Sequence, residues 1–229
     1  MADLTVLMID MQNGYLAGDR VREALGWPPI WRLDETITAC AELVSAARAA
    51  GIPIVYSRQV DSPAGLLAAN PRAARHLRSR ADRIPKVTAA EQRWRGDLLD
   101  AVAPIPGELV LEKTRNSFFA YTELDPVLRS LGAQRLLVAG LQTNVCVEAT
   151  VRAALERNYE VAVAEDAVST DGPALHRGAL DSMRVLYAEV APWRELIAEG
   201  APWDRAFSTP NYGREAAYWD ERSASPPTL

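Results

Sequence analysis

Asp10, Lys113 and Cys146 each stand at the end of a short apolar run or a few residues beyond one. A thiol becomes a nucleophile when a neighbouring base accepts its proton, and a carboxylate can be that base. A nearby ammonium group and the N–H groups at the start of a helix both stabilise a thiolate. Each residue alone has a plainer explanation, as a turn former, a solvated lysine or a small buried side chain. Together the three predict nucleophilic catalysis by a cysteine.

Alternating strands and helices are expected to position these residues. The apolar runs predict five strands, with room for a sixth near Val190, and the stretches between them have helical apolar spacing. This alternation favours a three-layer α/β/α fold with a five- or six-stranded, mainly parallel, Rossmann-like sheet. Ligands of such sheets bind beyond the carboxyl ends of the strands. The predicted strands are 4–9, 52–56, 109–112, 136–139 and 161–164, and the predicted helices are 34–50 with Asp34 as N-cap, 124–131, 147–157 and 173–187.

Composition excludes several classes of protein. The chain has 229 residues, 48% of them hydrophobic and 24% charged, which fits one globular domain. A net charge of -5 argues against nucleic-acid and anionic-membrane binding and favours a small-molecule substrate. No apolar run reaches the length of a membrane span, and no signal peptide is evident, so we expect a cytoplasmic protein. Its two cysteines should stay reduced, and Cys40, between Ile37 and Val44 on an apolar helix face, is predicted to lie in the core.

Two segments interrupt the alternation. Residues 59–107 form a connection long enough to hold helices of its own, and it is predicted to lie over the site as a lid. Within it, 71–83 is rich in arginine and is expected to be a solvated face or an oligomer contact more readily than a binding surface for an acidic substrate. Residues 1–199 are therefore interpreted as one domain, and 200–229 as a C-terminal arm or tail.

The motifs resemble those of the isochorismatase-like cysteine hydrolases. The resemblance lies in DMQN around Asp10, EKTRNSFF from Glu112, GLQTNVCVEAT from Gly140 and VAVAEDAVS from Val161, and it extends over roughly residues 4–198. It implies that Cys146 is the nucleophile, Asp10 the general base and Lys113 the charge that lowers the thiol pKa and orients the acid.

The resemblance further implies a cis peptide between Leu141 and Gln142, with the backbone N–H groups of Gln142 and Cys146 forming an oxyanion hole. It requires no cofactor, and it makes a homo-oligomer, dimer or tetramer, the expected assembly. Asp166, in the EDA segment, is expected to be structural. The residues predicted to bind substrate are Gln12, Tyr15, Arg58, Asn116, Phe119 and Gln142.

The metal-free amidase branch of that superfamily fits the sequence better than the nicotinamidases, which carry histidine ligands just after the second strand. Here that place reads YSRQVDSPAG, with Asp61 but no histidine, and the chain has only His76 and His176. The leading hypothesis is hydrolysis of a small amide, carbamoyl or ureido compound. Alternatives are opening of a lactam, hydrolysis of an isochorismate-type vinyl ether, which would not need the thiol, and a non-enzymatic scaffold.

Overall fold

One sheet of six parallel strands organises the protein. The structure is a computed structural model and describes residues 3–60, 75, 78–80, 82–198 and 203. The strand order is β3-β2-β1-β4-β5-β6, and every neighbouring pair is parallel. This arrangement confirms the predicted fold class. The strands are β1 (Leu4–Ile9), β2 (Ile54–Gln59), β3 (Leu109–Lys113), β4 (Arg135–Leu141), β5 (Glu160–Ser169) and β6 (Glu189–Ala191).

Helices connect the strands and cover both faces of the sheet. Short 3₁₀ turns lie at Asn13–Tyr15 and Asp100–Val102, and a π-helical turn at Thr143–Val147 follows β4. The α-helices are α1 (Arg20–Leu25), α2 (Leu33–Ala49), α3 (Ala89–Gly96), α4 (Leu124–Ser130), α5 (Glu148–Leu155), α6 (Pro173–Leu186) and α7 (Trp193–Leu196).

The central strand β1 is buried on both faces, which explains its uninterrupted apolar sequence. Successive side chains of a strand point to opposite faces, so Val6 and Met8 pack in the layer that contains α2 and α7. Leu7 and Ile9 pack in the opposite layer, with α4, α5 and α6. The two apolar layers hold the carboxyl end of β1 in place.

Two local predictions need correction. Helix α2 begins at Leu33, and its N-cap is Arg32, so Asp34 lies in the first turn without making a side-chain cap. Its charge there still complements the positive end of the helix dipole. Strand β5 continues to Ser169, well past the predicted end at residue 164. The extension includes Asp166, whose carboxylate accepts a hydrogen bond from the backbone N–H of Trp193 (2.9 Å), in agreement with the expected structural role.

The long connection and the tail lie partly outside the described residues. Of 59–107, the structure describes the end of β2, helix α3 and the turn at Asp100–Val102, whereas most of 71–83 falls outside. In the tail it describes only Trp203, which is buried and donates from Nε1 to the carbonyl of Leu196 (2.8 Å). The lid and the arm therefore stay predictions. Within the described parts of the chain, no helix is long and apolar enough to cross a membrane.

Candidate active site

The ends of β1 and β4 approach each other closely at the point in the sheet where the strand order reverses. Gly140, near the end of β4, has φ +109°, and a Cβ there would lie 2.1 Å from the carbonyl oxygen of Ile9. Only glycine permits this approach. Asp10 follows directly with φ 47°, a left-handed conformation that aspartate tolerates better than most residues. The chain is thus turned sharply at the first residue beyond β1.

Asp10, Lys113 and Cys146 meet beyond these strand ends. Lys113 Nζ lies 2.6 Å from Asp10 Oδ2, and neither side chain is exposed to solvent. The same ammonium group donates to Cys146 Sγ at 3.3 Å. Lys113 ends β3, two strands away from β1, so its long side chain reaches across the end of β2 to join the other two. The structure therefore brings the three predicted residues into one buried cluster.

Two polar residues of β2 hold this cluster, and neither was predicted from the sequence. Ser57 donates from Oγ to Asp10 Oδ1 (2.6 Å) and accepts from the Asp10 backbone N–H (3.1 Å). Lys113 Nζ donates to Gln59 Oε1 (2.7 Å) and to the backbone carbonyl of Arg115 (3.0 Å). The carboxylate and the ammonium group are thus fixed by hydrogen bonds in addition to their own ion pair.

The thiol is protonated at neutral pH. Burial, together with the charge of Asp10, raises the pKa of Cys146 to about 12, although Lys113 acts in the opposite direction. The resemblance implied that Lys113 would lower the pKa of this thiol. Its contribution has the expected sign, but desolvation and the adjacent carboxylate outweigh it. Formation of a thiolate therefore requires transfer of the proton to a base, and Asp10 is the carboxylate in place to receive it.

The turn that carries Cys146 has a defined backbone. The peptide bond between Leu141 and Gln142 is cis, as the resemblance implied. The carbonyl of Gln142 accepts from the N–H groups of Val145 (3.0 Å) and Val147 (3.1 Å), which closes the π-helical turn. Thr150 donates from Oγ1 to the carbonyl of Cys146 (2.6 Å) and ties the turn to α5.

His176 supports the same turn from α6. Its Nδ1 lies 3.0 Å from Thr143 Oγ1, and its ring packs at a tilt against Trp31. Burial lowers the pKa of His176, and the nearby cations Arg32 and Arg177 lower it further, so the ring is neutral at pH 7. The sequence offered no sign of this contact, because the two residues are 33 positions apart.

Three predicted substrate-binding residues, Gln12, Tyr15 and Arg58, line a cavity of about 590 Å³ beside the cluster. Tyr15 and Arg58 both belong to its wall, together with Gln59, which contacts Lys113. Burial raises the pKa of Tyr15 well above its ordinary value, and negative charge on Cys146 and Asp10 adds to the effect. The Tyr15 hydroxyl is therefore a neutral donor close to the thiol, and it has no hydrogen-bond partner among the described residues.

Other predicted substrate contacts have different surroundings. Gln12 lines the same cavity, but its side-chain amide is engaged with the backbone: Nε2 donates to the carbonyls of Gln59 (3.0 Å) and Gly96 (2.9 Å), and Oε1 accepts from the Gln59 N–H (2.9 Å). Phe119 is buried in the core, stacked on Tyr159 at 5.9 Å, so its contacts give the predicted substrate role no support. Asn116 is exposed in the loop after β3.

The side chain of Gln142 is held by an acid from the opposite side of the turn. Its Nε2 donates to Asp171 Oδ1 at 2.6 Å, and Asp171 is in turn paired with Arg22 at 2.8 Å. Arg22 also lines the cavity. Neither Arg22 nor Asp171 was predicted, because an arginine in a short helix and an aspartate after a strand are ordinary residues in any sequence.

A parallel sheet with an acid, an ammonium group and a thiol at its carboxyl ends is the arrangement expected of a cysteine hydrolase. The chain belongs to the isochorismatase family, since the profile described as Isochorismatase domain matches residues 5–195. It is 36% identical over 199 residues to a ureidoacrylate amidohydrolase RutB of Methylorubrum extorquens, a match that covers 83% of this chain and 80% of that protein.

Solved structures agree with this assignment. An isochorismatase family protein from Desulfovibrio vulgaris subsp. vulgaris str. Hildenborough has a TM-score of 0.68 and 28% identity, covering 85% of this chain and 96% of that one. N-carbamoylsarcosine amidase from Thermoplasma acidophilum shares the fold, with a TM-score of 0.64 and 24% identity over 86% of this chain and 99% of that one. The chain is a hydrolase that acts on C–N bonds.

Proposed function

We propose that the protein is a cysteine amidohydrolase that cleaves the C–N bond of a small amide, carbamoyl or ureido compound through a thioester. The observation that carries the proposal is the position of Lys113 Nζ, within 2.6 Å of Asp10 and 3.3 Å of Cys146 in a buried cluster. A nucleophile, a base and a cation at these distances are the components of covalent catalysis. The names of the curated relatives, ureidoacrylate amidohydrolases, favour a ureido substrate within this class.

The first half of the reaction forms the thioester. Asp10 accepts the thiol proton as Cys146 Sγ attacks the carbonyl carbon, and the carbonyl oxygen becomes an oxyanion. We assign the backbone N–H groups of Gln142 and Cys146 to that oxyanion, and Lys113 balances the charge shared by Asp10 and the sulfur. Asp10 then returns the proton to the nitrogen, the C–N bond breaks, and the amine or ammonia leaves.

The second half restores the thiol. Asp10 accepts a proton from water while the water oxygen attacks the thioester carbon. The C–S bond breaks, the acid is released, and the proton passes from Asp10 to the sulfur. No group is oxidised or reduced, so the cycle needs only water in addition to the substrate. In this scheme Tyr15 and Arg58, on the cavity wall, bind the part of the substrate that lies beyond the scissile bond.

A catalytic thiol works only while it is reduced, which supports a reducing compartment, the cytoplasm, as the site of action. We further propose that the protein is a homo-oligomer, dimer or tetramer. Light scattering should then give two or four times the chain mass of 25.1 kDa. A mass equal to that of one chain at working concentration would contradict this part of the proposal.

A substrate panel tests the activity. Small amides, ureido acids, carbamoyl amino acids and lactams are incubated with the protein, and release of ammonia or amine is measured alongside the Cys146→Ser and Cys40→Ser variants. We expect release from a ureido or carbamoyl compound, its loss in Cys146→Ser, and its retention in Cys40→Ser, because Cys40 is buried in the core and donates to the carbonyl of Ala167. Full activity in Cys146→Ser would overturn the thioester mechanism.

A further inference from the structure

Asp171 links the oxyanion turn to a buried arginine. A single carboxylate oxygen, Oδ1, accepts from Gln142 Nε2 at 2.6 Å and from Arg22 Nη2 at 2.8 Å. The Arg22 side chain is 7% exposed and that of Asp171 is 26% exposed. Arg22, Asp171 and Gln142 thus form a continuous network of charge-assisted hydrogen bonds. One end of this network is Gln142, which precedes Cys146 by four residues.

The carboxylate decides which way the Gln142 amide points. A carboxylate only accepts hydrogen bonds, so Gln142 must present its NH₂ group to Asp171. The other end of the amide, Oε1, is then fixed on the side away from Asp171. Among the residues that the structure describes, none donates a hydrogen bond to this oxygen. Gln142 therefore offers an acceptor of fixed orientation at the start of the turn that carries Cys146.

Arg22 is itself held on several sides. Its Nη2 also donates to the carbonyl of Pro28 (2.7 Å), and its guanidinium lies over the rings of Tyr15 (5.4 Å) and Trp27 (5.6 Å). The same cation thus contacts Tyr15, on the wall of the cavity, and the acid that orients Gln142.

Helix α3 braces the segment that carries Arg22. Asp19, the N-cap of α1, accepts from the Arg22 backbone N–H (2.8 Å). Arg95 of α3 donates two hydrogen bonds to the same carboxylate, from Nε at 2.6 Å and from Nη2 at 3.1 Å. The position of the guanidinium is therefore set by packing and hydrogen bonds before any substrate arrives.

We propose that Asp171 and Arg22 are positioning residues that turn Gln142 Oε1 toward the substrate, where it accepts a hydrogen bond from the N–H of the leaving group. This inference rests on the proposed function and specifies its substrate preference. The site then favours carbamoyl and ureido compounds whose scissile nitrogen carries a hydrogen. It disfavours the esters in which oxygen replaces that nitrogen, because Oε1 would face a second acceptor.

The test compares a matched pair of substrates. One is the N-carbamoyl amino acid hydrolysed fastest in the panel, and the other is the carbamate ester with oxygen in place of its scissile N–H. The measured quantity is the ratio of kcat/KM for the first to kcat/KM for the second. We expect Gln142→Met to lower this ratio about tenfold, the effect of losing one hydrogen bond to the substrate.

A double-mutant cycle separates positioning from general structural damage. Asp171→Ala should lower the ratio by a similar factor, yet cause no further decrease when Gln142 is already methionine. Asp171→Asn retains an acceptor oxygen for Gln142 Nε2 and should recover part of the preference. Asp125→Ala removes a carboxylate paired with Arg129 on the surface of α4 and should leave the ratio at its wild-type value.

The outcomes distinguish this inference from the proposed function. An unchanged ratio in Gln142→Met, or independent and additive effects of the two substitutions, would overturn the inference while Cys146-dependent hydrolysis stands. Hydrolysis of both compounds that persists in Cys146→Ser would overturn the proposed function, and the inference would fall with it. Thermal melting of each variant identifies any that is unfolded, in which case Asp171→Asn and Gln142→Met alone decide the result.

Discussion

Lys113 Nζ lies 2.6 Å from Asp10 Oδ2 in the interior of the protein, and both side chains are fully buried. The pair is neutral as a whole, so Cys146 beside it experiences an attraction from the ammonium group and a repulsion from the carboxylate. Burial of the thiol has the largest effect, the repulsion by Asp10 adds to it, and together they raise the pKa of Cys146 to about 12. The two neighbours of the thiol should therefore have opposite effects on its reactivity.

Asp10→Asn should lower the pKa of Cys146, and Lys113→Gln should raise it further. Asparagine removes the negative charge that opposes the thiolate, whereas loss of Lys113 removes the charge that stabilises it. Alkylation by iodoacetamide at about pH 8 should become about tenfold faster for each unit by which the pKa falls. Hydrolysis should be lost in both variants, because each removes part of the proposed catalytic cluster.

The measurement is the rate of alkylation between about pH 6 and pH 11 in a Cys40→Ser background, which leaves one thiol. In the wild-type cluster the rate should still be rising at the upper end of this range, since the pKa is about 12. The electrostatic account fails if both substitutions change the rate at neutral pH in the same direction.

Ser57→Ala should impair catalysis although Ser57 does not touch the thiol. The hydroxyl group donates to one oxygen of Asp10 and accepts from its backbone N–H, so alanine frees the base to move and leaves a buried N–H without a partner. We expect kcat to fall about tenfold or more and the free energy of unfolding to fall by about 1–3 kcal/mol.

The matched control is Ser130→Ala, which removes a hydroxyl bonded to the carbonyl of Pro126 on the exposed face of α4. Steady-state kinetics and urea denaturation of both variants make the comparison. Equal values of kcat for Ser57→Ala and Ser130→Ala would mean that Ser57 does not position the base.

Gln12→Leu distinguishes a structural role from the predicted substrate contact. Gln12 makes three hydrogen bonds that join the loop after β1 to Gln59 and to the end of α3. Their loss should lower the free energy of unfolding by about 2–3 kcal/mol, roughly 1 kcal/mol for each bond. The exposed Gln134, changed to alanine, is the control and should alter stability by less than about 0.5 kcal/mol. A large increase in KM without a loss of stability would instead support substrate binding by Gln12.

The main features of the fold could be predicted because the apolar sequence of the strands indicates that they are buried. The continuous apolar run of β1 is typical of a strand covered on both faces, and the alternation with helices requires parallel pairing. Since ligands bind beyond the carboxyl ends of parallel strands, the positions of Asp10, Lys113 and Cys146 also followed from the sequence. Helix boundaries were less certain, as the shift from Asp34 to Leu33 at the start of α2 shows.

The supporting residues could not be predicted because their partners are remote in the chain. Arg22 and Asp171 are 149 positions apart, and Ser57 and Asp10 are 47 apart. These contacts depend on strand register and loop path, which no local pattern encodes. The raised pKa of Cys146 was missed for a related reason: the balance between Lys113, Asp10 and burial depends on depth and distance, whereas the sequence shows only that the charges are present.

Gly140→Ala should unfold the protein or nearly so. The residue has φ +109°, a conformation that side chains rarely adopt, and an added Cβ would lie 2.1 Å from the backbone oxygen of Ile9. The backbone of Ile9 is part of β1 and cannot shift as a flexible side chain could, so β1 and β4 would have to separate. We expect the free energy of unfolding to fall by about 4 kcal/mol or more, measured by urea denaturation.

The control is Gly178→Ala, at an exposed site in α6 where an added Cβ would have nothing within 4 Å. This substitution should raise the free energy of unfolding by up to about 1 kcal/mol. Should Gly140→Ala fold with wild-type stability, the close approach of β1 and β4 would be wrong, and with it the local geometry that places Asp10 beside Cys146.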